Sequence, residues 1–503
     1  MKIAVKYIGR VRSHWSPGRI MLALGLLFFA LIVFGPLVAL LIKSGQSLQD
    51  GNSDWLSLAI PSGRTLGLLG HTIKLAACVA GGGIVLGILV GSLLWRWNTG
   101  LRSHLRWLVL VLIAVPPYVH ALAWSTSLVS FNSLLEGIGL PEIPLEGWIP
   151  SFWVQLMAFS PISVGLTLLA LNSIDPVLIN AGRTMRSDIY ALTRIALPLA
   201  APTILAGGGF LFLLSLMDYS VPSLFQMNVY SLEIFAEFSA SGEPARAFLI
   251  ALPLLLVAVG VLLVSQSHLR NAAQSPGWRI PAWQTPPGWP KGFVLLQYIA
   301  VAIVVAQIAV PLVSLISKVG TWQNMTSTLS SASSEISYTF YVAVIAALLC
   351  LPIALAASRK LLGTKKRERL WWLVVLIPLA IPPSLIGVGL ITIWNRPFFL
   401  DVYGSDLMPV LASLARFTPL AAIILLAQSR RIDPLLIDAA RVIQKNTLRT
   451  WIRIWTPMLA PGLLAAGGIV FALTLGELGA TLLVAPPGQA TLTNLQFPAL
   501  WRL

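Results

Sequence analysis

The chain has 503 residues, of which 57% are hydrophobic and only 10% charged, with a formal net charge of +16. Soluble domains are about 25% charged, so this composition, with a mean hydropathy of +0.83, excludes a soluble globular protein and predicts an all-α polytopic membrane protein. The basic balance would suit a nucleic-acid binder, but its distribution along the chain argues for membrane orientation and against nucleic acid as a partner.

A tail carrying Lys2, Lys6, Arg10, Arg12 and Arg19 runs into the first apolar stretch, Ile20–Ile42. About 20 such residues span a bilayer, and with no small-residue cleavage signal behind it the stretch reads as an uncleaved anchor. Comparable stretches follow at Leu68–Leu94, Leu105–Trp124, Phe152–Leu171, Ala201–Ser220, Ala247–Val264, Phe293–Leu315, Tyr338–Ala357, Leu370–Trp394, Leu407–Ala427 and Pro461–Val484, giving eleven predicted spans. With a cytoplasmic N-terminus, most Lys and Arg fall in the tail or in alternate loops, among them Arg96, Arg102 and Arg106, the run Lys365-Lys366-Arg367, and Arg430-Arg431. The remaining loops carry Glu136, Glu142, Glu146, Glu233, Glu237 and Glu243, so the positive-inside rule sets the topology. Cys78 and Cys350 lie in separate predicted spans and the five His are scattered, so neither a disulfide framework nor a metal site is expected.

The chain repeats itself. Ile174-Asp175-Pro176-Val177-Leu178-Ile179-Asn180-Ala181-Gly182-Arg183 returns as Ile432-Asp433-Pro434-Leu435-Leu436-Ile437-Asp438-Ala439-Ala440-Arg441, an offset of 258. Pro198 and Pro202 return as Pro457 and Pro461 at an offset of 259, one inserted residue apart. Pro116-Pro117 answers Pro382-Pro383, and Asp218 answers Glu477. The predicted organisation is therefore a first half with six spans over 1–270, a Pro/Trp-rich linker over 271–292, and a second half with five spans over 293–503. The linker cannot be a regular helix, and Trp278, Trp283 and Trp289 suit the headgroup region. The repeat leads one to expect a twelfth span. After Val484 no apolar run is long enough to supply it, which reads as either a naturally short chain or, as the repeat favours, a lost last helix.

In both loops Asp is placed to cap a helix that opens on Pro. Leu178, Gly182 and Met185, like Leu436, Ala440 and Ile443, fall on one helical face. The small pairs Ala181-Gly182 and Ala439-Ala440 would let another backbone approach, with Arg183 and Arg441 projecting charge. The alternative is a surface helix that only caps the bundle. Inside the membrane, ionisable groups are functional candidates because desolvation is costly. Asp218 and Glu477 either line an outward mouth that attracts a cation or reach external water or cap a neighbouring helix, while Arg416 either pairs with Glu477, meets an anionic chelate, or snorkels outward. Pro116-Pro117 and Pro382-Pro383 mark expected kinks, either at a gate or pathway or in packing alone, and the Gly clusters at 81–83, 207–209 and 467–468 mark close helix contacts.

These loops resemble the EAA signature of binding-protein-dependent ABC importer permeases: Glu-Ala-Ala, three residues, Gly, nine residues, Ile, one residue, Leu-Pro. Asp438, Ala439, Ala440, Ile454 and Pro457 match in register; Asn180, Ala181, Gly182, Ile195 and Pro198 match with one residue deleted. Arg186 and Gln444 depart from the central Gly, and Thr456 from the Leu. The resemblance covers nearly the whole chain as two fused permease units of the type I fold, nearest the iron(III) and thiamine branch. It implies a multi-pass protein of the bacterial inner membrane whose coupling helices dock on two copies of a cytoplasmic ATPase. The same resemblance implies a periplasmic substrate-binding protein on the opposite face. No G-x-x-x-x-G-K-[ST] loop occurs here, so this chain is expected to be a transport subunit rather than an enzyme and to bind no cofactor, with ATP and Mg in the ATPase. Iron(III) is the expected substrate, with thiamine, a phosphonate or a polyamine as alternatives. An ion-coupled secondary transporter is the competing class.

Overall fold

The computed structural model describes residues 17–96, parts of 104–113, 115–274, 288–362, 365–433 and 447–487, and residues 435, 436, 439, 489 and 491. Among these, nine helices are long and apolar enough to cross a membrane, and Arg369–Ala380 with Pro383–Trp394 makes a tenth span bent by 94°. The protein is an all-α polytopic membrane protein.

In the first half the principal helices are α1 (Pro17–Phe29), α2 (Gly35–Gln49), α3 (Gly63–Arg96), α4 (Pro117–Gly137), α5 (Trp148–Asn172), α6 (Pro176–Met185), α7 (Leu197–Met217), α8 (Ser220–Leu224) and α9 (Pro244–Gln274). In the second they are α10 (Lys291–Val319), α11 (Trp322–Ser331), α12 (Ser333–Leu361), α13 (Lys365–Leu376), α14 (Pro383–Trp394), α15 (Leu407–Ser429), α16 (Thr456–Leu475) and α17 (Thr481–Val484). The expected twelfth span has no test here, since residues 492–503 lie outside the described set.

Three predicted boundaries move. The third span was expected to end at Trp124, but α4 continues to Gly137. In its polar stretch the hydroxyls of Ser125, Thr126, Ser127, Ser130 and Ser133 donate to carbonyls three or four residues back, so each is satisfied within the helix itself. The fifth and eleventh spans end earlier than expected, α7 at Met217 and α16 at Leu475, so that Asp218 and Glu477 stand just beyond their helices. Prolines explain the sharpest bend. Pro382 is extended (φ −56°, ψ 139°) and Pro383 opens α14 without needing an N–H partner. Pro116 is likewise extended (φ −64°, ψ 147°) before Pro117 opens α4.

Without a hydrophobic drive between helices in lipid, close packing must come from small residues and buried polar bonds. In the first half α3, α5 and α7 pack together, and α12, α15 and α16 do so in the second. Ser163 Oγ donates to the Gly83 carbonyl at 2.6 Å, and a Cβ on Gly83 would overlap Leu211 of α7. Of the glycine clusters, Gly82, Gly83, Gly207, Gly208, Gly209 and Gly467 meet neighbouring helices, whereas Gly81 and Gly468 face no described atom within 4 Å.

The first helix of each half crosses to the other. α1 and α2 lie against α12 and α14, and α10 lies against α3, α4 and α5. Gly25 admits Ala356, and Gly389 admits Pro36, whose ring would stand 2.6 Å from an added Cβ. On α10 the contact is polar: buried Gln297 donates to Ser92 Oγ at 2.9 Å, and Gln307 accepts from Ser160 at 3.1 Å.

Candidate coupling loops and pathway residues

The first repeated loop forms as its sequence dictates. Asp175 Oδ1 accepts the Val177 N–H at 2.9 Å, and Pro176 occupies the first turn of α6. In the second loop Asp433 Oδ1 accepts from Leu435 N at the same 2.9 Å. Both loops re-enter the membrane through a π-helical turn, Ala191–Ala196 before Pro198 and Trp451–Trp455 before Pro457. The cause is shared: each Pro lacks an N–H and its ring crowds the carbonyl four residues back, here Arg194 and Arg453, and a widened turn relieves both. Pro198 and Pro457 are exposed.

The orientation of α6 differs from the expected one. Ile179 and Gly182 turn inward, while Val177, Leu178 and Met185 are 70%, 50% and 82% exposed. Gly182 is used by the loop itself, since a Cβ there would overlap Ile195 and press on Ala191 at 3.3 Å. Exposed Ala181, with Leu178, Gly182, Met185, Arg186, Tyr190 and Ile195, lines an open pocket of about 350 Å³. Arg183 does not project outward as expected; its Nε binds Asp188 Oδ1 at 2.7 Å, with only 16% of the side chain exposed. Asn180 is exposed. In the second loop Ala439 is exposed and helical, and Leu435 and Leu436 are 74% and 53% exposed. Asp438, Ala440 and Arg441 lie outside the described residues.

At the other end of the bundle Asp218 and Glu477 occupy equivalent breaks between a long and a short helix. Asp218 Oδ1 accepts from Ser220 Oγ at 2.6 Å and Ser220 N at 3.1 Å, and Oδ2 accepts from Gln155 Nε2 at 2.9 Å. Glu477 Oε1 accepts from Ala480 N at 2.8 Å, and Oε2 pairs with Arg416. Each acid thus accepts backbone N–H bonds from the residues that follow it in the chain, and Arg416 lies against Glu477. The Gln155 contact was missed, although a lone amide within an apolar span was the available signal.

The two breaks meet. Tyr219, 2% exposed, donates its hydroxyl to the Gly479 carbonyl at 3.2 Å across the halves. The Pro116 ring sits where Gly476 would carry a Cβ, and Pro383 lies 2.6 Å from the corresponding point on Gly479. Pro116, Pro383, Asp218, Glu477 and Arg416 thus gather around one inter-half seam. Pro117 and Pro382 flank it as neighbours in sequence. No group of three or more His, Cys, Asp or Glu that could hold a metal ion occurs among the described residues.

A multi-pass α-helical protein built from repeated halves, with matched Asp-Pro loops at one end and a proline-lined seam at the other, has the architecture of a transport permease. No family model matches the chain. Curated relatives do. It is similar to the Fe(3+)-transport system permease protein FbpB 2 of Haemophilus influenzae, at 23% identity over 85% of this chain and 82% of that protein. It is also similar to the molybdenum transport system permease protein ModB of Mycobacterium tuberculosis, at 29% identity over 37% of this chain and 75% of that protein. The putative 2-aminoethylphosphonate transport system permease protein PhnU of Salmonella typhi is 34% identical over 24% of this chain and 46% of its own length. With these relatives the chain is recognised as an ABC importer permease of the fused kind.

Proposed function

We propose that the chain is the membrane subunit of an importer that carries iron(III) from a periplasmic binding protein to the cytoplasm. The single observation that carries this reading is the long similarity to the iron permease, which covers both halves at once. The N-terminus and the two Asp-Pro loops are cytoplasmic, as the distribution of Lys and Arg indicates. Each loop offers its exposed Leu178 or Leu436 to one copy of an ATPase, and ATP-driven closure of that pair moves α6 and its counterpart. The seam around Tyr219 and Gly479 is the closed part of the pathway. Substrate passes only when the halves separate there.

The test is iron uptake by a deletion strain under iron limitation, with radiolabelled iron(III) as the probe. Loss of uptake, restored by the intact gene, is the expected result; unchanged uptake with no redundant importer removes iron. The shorter matches to molybdenum and phosphonate permeases support a second reading, an oxyanion cargo, which competition by molybdate or 2-aminoethylphosphonate would reveal. Co-purification of a separate ATPase distinguishes either reading from an ion-coupled transporter.

A further inference from the structure

The first loop reaches the head of the second half through Asp188. Asp188 follows α6 by three residues, and its two carboxylate oxygens face different parts of the chain. Oδ1 accepts from Arg183 Nε on α6 at 2.7 Å, while Oδ2 accepts the backbone N–H of Gly288, 100 residues away at the head of the second half. Trp289, next to Gly288, is 8% exposed and packs in the cluster that holds Trp95, Ile179 and Leu192. The sequence assigned this Trp to the headgroup region. The structure instead buries it in protein, with the Arg96 guanidinium 5.2 Å from its ring centroid and Phe293 edge-on at 5.5 Å.

One carboxylate joins the amphipathic helix α6 to the entry into α10, and the basic end of α3 lies beside that junction, over Trp289. Because α10 crosses to pack on α3, α4 and α5, a movement of α6 need not travel through the bilayer to reach the second half. In the second loop the equivalent positions are Asn446 and Thr447, neither of which supplies a carboxylate. From this geometry we infer that Asp188 is a positioning residue that ties the first coupling helix to the head of α10, so that only the first loop moves a helix of the opposite half directly. The inference rests on the reading that α6 docks an ATPase, and it assigns the two loops unequal tasks.

Hydrogen exchange on the full chain in nanodiscs tests it, with Asp188→Asn as an isosteric variant that removes the charge. Without any partner, Asp188→Asn should speed exchange at residues 288–300 as well as 176–196, on the order of tenfold, because a charge-assisted bond anchors both. With the co-purified ATPase present, adding ATP should alter exchange in both segments of the wild type. In the variant the same addition should alter only 176–196. Unchanged exchange at 288–300 in the partner-free variant, or an ATP response at 288–300 that survives the substitution, overturns the inference. Failure of any ATPase to co-purify with the wild type overturns the docking reading instead, while the partner-free comparison still decides whether Asp188 ties the two segments.

Discussion

The two halves share a backbone plan and differ in what fills it. At the seam, α7 and α16 end within one residue of the same repeat position, and a carboxylate just beyond each end accepts N–H bonds from the residues that follow. The first half completes Asp218 with the neutral Gln155, whereas the second completes Glu477 with Arg416. Gln155 and Arg416 are not repeat equivalents, since the offset of 258 pairs Arg416 with Ala158 and Gln155 with Ser413. The need for a donor beside a buried acid has been met twice, from adjacent turns of corresponding helices. A repeat thus preserves the break in the helix more faithfully than the chemistry that stabilises it.

Removing the donors separates these two solutions most strongly. Arg416→Ala removes the cation paired with Glu477, which is 3% exposed, and breaking a buried pair in this way costs about 3 kcal/mol; the apparent unfolding temperature in detergent should fall accordingly. Gln155→Ala leaves Asp218 three donors, the Ser220 hydroxyl and N–H and the Val221 N–H, and should cost about 1–2 kcal/mol. Equal losses for the two variants would show that the charge at Arg416 adds nothing to the seam.

Packing offers a second contrast. A Cβ on Gly209 would overlap Ser265 of α9, while repeat-equivalent Gly468 faces open space among the described residues. Gly209→Ala should therefore destabilise by about 1–3 kcal/mol through overpacking. The same change at Gly468 should be neutral or stabilising by up to about 1 kcal/mol, since Ala favours a helix over Gly. Thermal melts of the two variants side by side decide it, and a matching loss at both sites would contradict the open surface.

The loops give the smallest effects on stability. Asp175→Ala and Asp433→Ala each remove one cap and should cost about 1 kcal/mol, seen as faster amide exchange in the first turn of each helix. Ala181→Trp fills the pocket beside Leu178 and Met185 without touching the core. It should leave the melting temperature unchanged yet lower uptake about tenfold or more, whereas normal uptake would remove that pocket from the docking surface.

Much of this was legible in residue order. The apolar runs, the Asp-Pro caps and the paired prolines are local features, since a span needs only length and hydropathy and a cap needs only its own turn. What residue order concealed was direction. The i, i+4, i+7 pattern placed Leu178, Gly182 and Met185 on one face, but whether that face turns inward depends on Ile195 and Ala191 arriving against Gly182. Arg183 was read as an outward charge because Asp188 is five residues on, a separation that only the turn after α6 closes.

By itself, then, the sequence determined an all-helical membrane protein with repeated halves, matched loops and helix breaks beside proline, because each follows from backbone chemistry within a few residues. Tertiary structure alone decided that the first helix of each half crosses over, that Tyr219 reaches Gly479, that Gln155 serves Asp218, and that Gly288 and Trp289 fasten onto the first loop. The hydrogen bonds among them join residues from 63 to 260 positions apart, and the crossing helices bring together residues still further separated, such as Gly25 and Ala356. They depend on which small side chains allow two helices to approach, a property of surfaces that exist only once the helices have assembled.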